Sequence, residues 1–211
     1  MGTDTLGLRE LKKRRTRQEI SNVATRMFIE RGFDEVTIAE VAEAAGVAKM
    51  TVTNHFPRKE DLVLDLHEEI VAAPARAVAE RAAGQSALAA LHQNYFADLA
   101  RHDAMIGFSG PEFARMITGS PALRARLREL QEQREDALAE TLAAETGAAP
   151  DDIMPRAAAA QLTAVHRVLF QDVLRRTLAG EDDETIAAAL GDAAQQAFGL
   201  LEPTLGGYAV R

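Results

Sequence analysis

A run of short polar side chains between Lys49 and His55 is the part of the sequence best suited to hydrogen bonding with a nucleic acid. It reads KMTVTNH. Lys, Thr, Asn and His are residue types that reach base edges and phosphates in the DNA major groove. The same residues would also suit an ordinary corner between two helices whose second helix simply faces solvent. The segment before the run must distinguish this interpretation from a DNA-reading helix.

That preceding segment carries the signals of a helix start and a sharp turn. Thr37 is a natural N-cap, and Glu40 three residues later completes a capping box, with Val36 and Val41 flanking the cap as a hydrophobic staple. Gly46 supplies the left-handed backbone that a tight turn requires. The pattern therefore predicts two helices, 37–45 and 48–55, arranged as a helix-turn-helix that reads DNA.

These residues resemble the DNA-binding domain of TetR-family transcriptional repressors. The resemblance covers about residues 10–66, and its motifs are specific in combination rather than singly. An earlier apolar stripe belongs to the match as well. The matching positions are Ile20, Val23, Ala24, Met27, Phe28, Arg31-Gly32-Phe33, Thr37, Ala42 to Val47 (AEAAGV), Thr51, Phe56, Lys59 and Asp61-Leu62.

Three positions depart from the family pattern. Ala48 stands where the family usually has Ser, so the second helix of the motif (48–55), which is the recognition helix, lacks its preferred side-chain cap. Thr53 and His55 replace Tyr residues that often contact phosphates in the family. The resemblance implies the fold and the docking of the second helix into the major groove, but no base preference.

We assign eight residues to the DNA interface from these patterns. Phosphate contacts are expected from Thr37, Thr51 and Lys59. Contacts with bases or the adjacent backbone are expected from Lys49, Met50, Thr53, Asn54 and His55.

The formal charge of −8 conceals an uneven distribution along the chain. Residues 1–59 hold 11 Lys and Arg against 8 Asp and Glu, whereas residues 60–211 hold 13 against 24, a balance of −11. The positive charge concentrates in a run that is either a solvated tail or an arm along phosphates or in the minor groove. This run comprises Arg9, Lys12, Lys13, Arg14, Arg15 and Arg17.

Composition also limits the cellular context. The chain has no Cys, which excludes disulfides and suits a reducing cytoplasm. Arg and Lys occupy the region where a secretory signal would be apolar, and no stretch approaches the ~20 apolar residues of a membrane span. We expect a bacterial cytoplasmic protein that does not enter a membrane.

The remaining pattern is helical, so the predicted fold class is all-α. We expect a three-helix DNA-binding head with an N-terminal arm at 1–56 and a larger helical bundle for ligand binding and dimerisation at 57–211; one compact domain is the alternative that the length allows. Pro57 is predicted to begin a helix that Pro74 ends or kinks. Ser86 and Ser120-Pro121 mark later helix starts, and Asp183 is expected to cap the last helix.

Two Ala-rich helices at the C-terminal end are the expected dimer interface. Their apolar stripes are wide enough for backbones to approach closely, and the resemblance implies a four-helix bundle with a second subunit. A homodimer would also present two heads to a palindromic operator. The alternative is that the monomer satisfies both stripes. The stripes comprise Ala157–Ala160, Ala164, Val165, Val168, Leu169 and Val173, then Ile186, Leu190, Ala193, Ala194, Ala197 and Leu201.

Aromatic and Met side chains from the middle of the chain are the expected lining of a small-molecule site. Such side chains form adaptable apolar cavities, although each one alone fits ordinary core equally well. Glycines and prolines between 104 and 121 favour local movement there. The predicted ligand-binding residues are Tyr95, Phe96, Met105, Phe108, Phe113, Met116, His166 and Phe170.

The function predicted from these features is a repressor released from DNA by an apolar effector, for which an acyl-CoA-like molecule is one candidate. The effector would shift the helix leading to the head and so change the separation of the two heads. No cofactor motif or zinc spacing occurs, and His102-Asp103 alone does not define a metal site. The alternatives are a dimeric DNA-binding scaffold without a ligand and a small all-helical enzyme.

Overall fold

The fold is all-α, as predicted. The computed structural model describes residues 3–211, with side chains from residue 11 onward, and these residues form helices joined by turns. The α-helices are α1 (Thr3–Arg31), α2 (Ile38–Ala44), α3 (Lys49–His55), α4 (His67–Ala79), α5 (Ala87–Ala100), α6 (Gly110–Gly119), α7 (Pro121–Thr146), α8 (Met154–Leu178), α9 (Asp183–Gly199) and α10 (Glu202–Leu205). Short 3₁₀ helices lie at Glu60–Leu62 and Ala104–Ile106.

The chain divides into two compact units. We call the first the head unit; it comprises the described residues up to His67 together with Met116–Arg126. The second, the body unit, comprises Glu68–Arg115 and Leu127–Arg211. The domain boundary predicted after residue 56 stays a prediction.

In the head unit, helices α1, α2 and α3 pack around a small apolar core. Its residues recur on one face of each helix, which is the pattern expected of amphipathic helices around a shared core. Ser21 on α1 lies in this core and its hydroxyl donates to the Leu62 carbonyl over 3.1 Å, which fixes the 3₁₀ segment to α1. The core includes Ile20, Ala24, Phe28, Phe33, Val36, Val41, Val52, Phe56 and Leu62.

The prediction that a helix begins at Pro57 was wrong. The 3₁₀ turn Glu60–Leu62 follows Pro57, and α4 begins only at His67. Four consecutive residues, 61–64, are all buried. One face of an α-helix cannot bury four consecutive side chains, so this segment folds into the core as a turn instead. Pro74 is buried inside α4 and does not end it, because the helix continues to Ala79.

Other predicted helix boundaries were confirmed. Ser86 caps α5 by accepting from the Ala89 amide, and Pro121 opens α7, which ends before the left-handed Gly147. The cap of α9 is one residue earlier than predicted. Asp182, rather than Asp183, accepts the Thr185 amide over 2.8 Å, which leaves Asp183 as the first helical residue.

The body unit is built around α5, α8 and α9, which pack against one another. Its core also takes Leu138 and Leu142 from α7 and Leu205 from α10. Arg81 is buried here; it forms an ion pair with Glu145 over 2.9 Å and donates to the Ala209 carbonyl over 2.9 Å. Among the helices described, none combines the length and the apolar character needed to cross a bilayer.

Candidate nucleic-acid interface

The predicted capping box is present at the start of α2. Thr37 Oγ1 accepts the Glu40 amide over 3.2 Å, and Glu40 Oε2 accepts the Thr37 amide over 2.8 Å. Arg31 donates to Glu40 Oε1 over 2.6 Å. That hydrogen bond, with those from Thr37, lowers the pKa of Glu40 to about 2. The carboxylate therefore stays ionised and the cap persists at neutral pH.

The turn between α2 and α3 has the predicted geometry. Gly46 has φ of +65°, and the Val47 amide closes the turn on the Ala42 carbonyl over 3.0 Å. Ala48 is the N-cap of α3 and makes no side-chain hydrogen bond, which confirms that the departure from Ser removes the cap. Helix α3 is consequently held by its buried residues rather than by its first turn.

Helix α3 has one buried anchor and a solvent-facing side. Val52 is fully buried, whereas Lys49, Met50 and Asn54 are exposed, with Met50 at 69%. Thr51 and Thr53 are half-buried. The Thr53 hydroxyl donates back to the Met50 carbonyl over 3.2 Å, so its methyl group and lone pairs remain for a partner.

The end of α3 is fixed by Arg17 of α1. Its guanidinium lies 4.3 Å from the centroid of the buried Phe56 ring and donates to the His55 carbonyl. A second donor reaches the Asp65 carbonyl over 3.0 Å. Arg17 thus braces the recognition helix as a cation at a helix C-terminus, a structural role that its place in the basic run did not indicate.

His55 is held in its neutral form. Burial lowers the pKa of His55 below its usual value, and the charges of Arg17 and Lys13 lower it further. A neutral imidazole offers one donor and one acceptor, so His55 is equipped for hydrogen bonding rather than for charge pairing with phosphate.

Lys59 is partly engaged inside the head unit. Its ammonium donates to the Phe33 carbonyl and lies 4.4 Å from the Phe33 ring centroid. The Phe28 centroid is 5.5 Å away. An ammonium has three donors, so a phosphate contact remains compatible with these interactions and stays a prediction.

The basic run on α1 is helical rather than a loose tail. Lys12, Lys13, Arg14 and Arg15 are exposed along it, and Arg15 forms an ion pair with Glu19 over 2.9 Å. The Arg9 side chain lies outside the described residues. The exposed run gives the head unit a positive edge close to His55.

A buried ion pair inside the head unit was not predicted from the sequence. Arg126 Nε donates to Asp61 Oδ1 over 2.9 Å, and the two side chains are 8% and 3% exposed. The pair joins the 3₁₀ turn to the first turns of α7. Its signal in the sequence was weak, because 65 residues separate the two partners.

The structure gathers only some of the predicted ligand-binding residues. In the body unit, the Tyr95 ring contacts Phe96, His166 and Phe198, with the Tyr95 and His166 ring centroids 5.8 Å apart, and His166 also contacts Phe198. His92 completes this aromatic cluster, 4.7 Å from Phe96. Phe198 was not among the predicted ligand-binding residues, although its position as an aromatic residue on the inner face of α9 could have suggested it.

The other predicted lining residues lie elsewhere. The Phe108 ring stacks on His102 at 5.0 Å, and Phe170 lies beside Gly107, whose φ is +116°. Met105 and Phe113 are half-buried in the body unit. Met116 belongs to the head unit. Asp103 caps the short 3₁₀ helix that holds Met105, and the described residues include no group of three His, Asp or Glu placed to hold a metal.

A capped α2, a tight glycine turn and a short α3 with an exposed polar face define a helix-turn-helix DNA-binding protein. Residues 20–66 match the model of bacterial regulatory proteins of the tetR family, and residues 85–205 match that of the MftR C-terminal domain. The chain therefore belongs to the tetR family. It is a DNA-binding transcriptional regulator and not an enzyme.

Curated relatives and solved structures agree with this assignment. The chain is 31% identical to the transcriptional regulator TcmR of Streptomyces glaucescens, over 94% of this chain and 88% of that protein. It is 33% identical to the transcriptional repressor AcnR of Corynebacterium diphtheriae, over 65% of this chain and 70% of the relative. The Salmonella enterica GusR structure shares the fold at a TM-score of 0.54 and 20% identity, covering 90% of this chain and 95% of that one.

Proposed function

We propose that the protein is a dimeric cytoplasmic repressor that binds a palindromic operator through α3 and is released by a small-molecule effector. The main support for this proposal is that α3 has one buried side and one solvent-facing side. Val52 is fully buried while Lys49, Met50 and Asn54 face solvent. A helix that presents donors, acceptors and an apolar methyl group on a solvent-facing side is suited to a major groove.

The base-contacting set is proposed from exposure. Asn54 offers the bidentate pattern that suits adenine, and Met50 offers apolar contact for a thymine methyl group. Lys49 supplies a charge for guanine or phosphate. Thr51, Thr53 and His55 are half-buried and are proposed for neighbouring backbone contacts. Thr37 is exposed beside them, with its hydroxyl already used in the capping box.

A dimer is proposed from the face of α8 that the body core leaves uncovered. Part of the predicted stripe, including Leu169 and Ile186, is buried within the chain. Ala160, Ala164 and Val168 repeat at helical spacing on the other side of α8, and Val168 is 53% exposed. Small residues flanking an exposed Val allow two such helices to approach closely.

Effector release is proposed as a linkage between two sites. An effector that binds the body unit better in one conformation shifts the population towards it, and operator affinity falls if that conformation binds DNA less well. Helix α7 supports such a coupling, because it belongs to the head unit up to Arg126 and to the body unit from Leu127 onward.

Selection of bound duplexes from a random pool tests the DNA-binding part. We expect an inverted repeat whose half-sites lie about one helical turn, ~34 Å, apart or somewhat further. The matched control is the triple variant Lys49→Ala, Met50→Ala and Asn54→Ala, which keeps helix propensity and removes exposed side chains only. Enrichment of the same repeat by the control, or no enrichment at low salt, would contradict the assignment of α3.

Release by an effector separates the repressor from a ligand-independent scaffold. The selected operator is bound, and fatty acids, acyl-CoA thioesters and aromatic metabolites are added in turn. A repressor loses operator affinity with at least one class, and the loss follows the concentration of that compound. A scaffold keeps the same affinity with all of them. Loss with acyl-CoA alone would favour the acyl-CoA-like candidate.

A further inference from the structure

Three side-chain donors described in the body unit are buried without an acceptor: the Tyr95 hydroxyl on α5, Arg134 Nε on α7 and the Tyr208 hydroxyl near the C-terminus. The Tyr95 hydroxyl and Arg134 Nε are both excluded from solvent, and neither has a hydrogen-bond partner among the described residues. Tyr95 is 1% exposed. An unsatisfied buried donor costs free energy, and a buried cation costs more, so such groups mark positions built for an acceptor.

Two of these donors, the Tyr95 hydroxyl and Arg134 Nε, belong to residues that both neighbour His166. Arg134 is close enough to His166 for its charge to lower the pKa of that imidazole, and the His166 ring packs edge-on to Tyr95. Asp98, one turn after Tyr95 on α5, also feels the Arg134 charge. Tyr95 on α5 and Arg134 on α7 are therefore both neighbours of His166, a member of the aromatic cluster of His92, Tyr95, Phe96, His166 and Phe198.

Arg134 Nε makes no hydrogen bond to Asp98, the carboxylate whose charge acts on the Arg134 guanidinium. Asp98 instead accepts from Arg101 over 2.6 Å and from Asn94 over 3.0 Å, one hydrogen bond to each oxygen. Burial lowers the pKa of Arg134 to about 10, which leaves the guanidinium charged at neutral pH. His166 donates its Nδ1 proton to the Leu162 carbonyl over 3.1 Å, and burial lowers its pKa to about 3. Arg134 is thus the positive charge at this point.

We propose that the effector is an apolar monocarboxylate whose carboxylate accepts hydrogen bonds from Arg134 Nε and the Tyr95 hydroxyl. The aromatic cluster would hold its aromatic or alkyl body. One Arg matches one negative charge, whereas the balance of −11 over residues 60–211 opposes a polyanion. This assignment rests on the proposed function only in naming the compound an effector.

Calorimetry on the free protein, without DNA, tests the carboxylate. Phenylbutyrate and decanoate are each compared with their methyl esters, which keep the body and remove the charge. We expect each acid that binds to do so about tenfold or more tightly than its ester, because the hydrogen bonds to Arg134 are charge-assisted. Equal binding of acid and ester, or no binding of either acid at millimolar concentration, would overturn the proposal.

Variants assign the effect to the named donors. Arg134→Met should abolish the preference for acid over ester, and Tyr95→Phe should reduce it severalfold. Arg128→Met is the matched control, because Arg128 is exposed on the same helix and its loss removes the same charge. A preference that persists in Arg134→Met, or disappears equally in Arg128→Met, would contradict the site.

Stability gives a measurement that needs no ligand. Arg134 Nε is buried without an acceptor, so replacement of the side chain by an apolar one of similar length should leave the unfolding temperature of Arg134→Met unchanged or raised. A large decrease would show that Arg134 is structural. Operator binding is measured separately: an acid that binds the protein but leaves the operator complex intact refutes release and leaves the carboxylate site standing.

Discussion

At the scale of single residues, some positions on α3 anchor the helix in the core while their neighbours face solvent. Val52 is fully buried and fixes the helix in the head unit, while Asn54, two residues on, is exposed. Phe56 is buried again, with the Arg17 guanidinium over its ring. Because these anchors are distinct from the exposed side chains, the exposed ones can be changed without loss of the fold.

Asn54→Ala should relax sequence preference without unfolding the head. Loss of a bidentate contact with one base pair should reduce discrimination at that position by about 10- to 100-fold. Affinity for unrelated duplexes should stay nearly the same, because phosphate contacts are unaffected. Competition binding with single-base operator variants measures the effect. Asn22→Ala, at an exposed position on α1, is the control and should leave the base preference intact.

His166 should make the protein less stable in mild acid. Its pKa is lowered by burial to about 3, against 6.5 in an unfolded chain. Below pH 6.5 the unfolded chain binds a proton that the folded protein does not, so the free energy of unfolding falls as pH falls. The slope approaches about 1.4 kcal/mol per pH unit well below pH 6.5.

Denaturant unfolding between pH 6.5 and 5 measures this slope, with His166→Asn as the comparison. The variant should lose the His166 part of the slope and keep the part due to His55, whose pKa is also lowered. Asp98, whose pKa is raised by burial, acts in the opposite direction. Identical slopes in the two proteins would show that His166 is protonated in the folded state.

At the scale of elements, the Asp61–Arg126 pair connects the 3₁₀ turn to α7 within the head unit. Both side chains are almost fully buried, so removing Asp61 takes from the buried Arg126 the carboxylate with which it pairs. Asp61→Ala should therefore cost about 3–5 kcal/mol of stability. The double variant Asp61→Leu with Arg126→Met should lose much less, because no buried charge remains. Thermal unfolding of the single and double variants distinguishes the outcomes, and additive losses would rule out coupling.

Elements governed by local chemistry were predictable from the sequence. The capping box at Thr37, the Gly46 turn and the Ser86 cap each depend on residues within a few positions of one another. The segment after Pro57 was not, because its path is decided by burial of Asp61 to Leu64 rather than by helix propensity. Tertiary burial overrides local preference at such points.

The candidate sites divide in the same way. The exposed face of α3 follows from the alternation of Val52 with polar neighbours, so its residues could be named in advance. Arg134 could not, because a single Arg on a long helix gives no sign that its Nε faces the interior. Arg17 was assigned to a basic run, and only the folded head shows that it caps α3.

At the scale of the whole molecule, charge and apolar surface are distributed between the two units. The exposed basic run lies on α1 in the head unit, whereas the body unit (residues 68–115 and 127–211) holds 11 Lys and Arg against 21 Asp and Glu, a balance of −10. DNA should therefore attract the head unit and repel much of the body unit. Val168 on α8 is exposed and uncharged, so it takes no part in this attraction or repulsion. A substitution there therefore tests whether two chains associate.

Val168→Arg should convert the protein to a monomer with weak operator binding. Val168 is 53% exposed, so the substitution should not disturb the folded chain, but two buried like charges would oppose each other across a two-fold axis. Light scattering should change from twice the chain mass of 22.8 kDa to that mass. Val210→Arg, which is 52% exposed on the C-terminal segment, adds the same charge and should remain dimeric. If the wild-type protein is a monomer and still binds the full inverted repeat, the proposed dimer surface on α8 is wrong. If Val168→Arg is a monomer that binds single half-sites only, binding to the full inverted repeat requires the dimer.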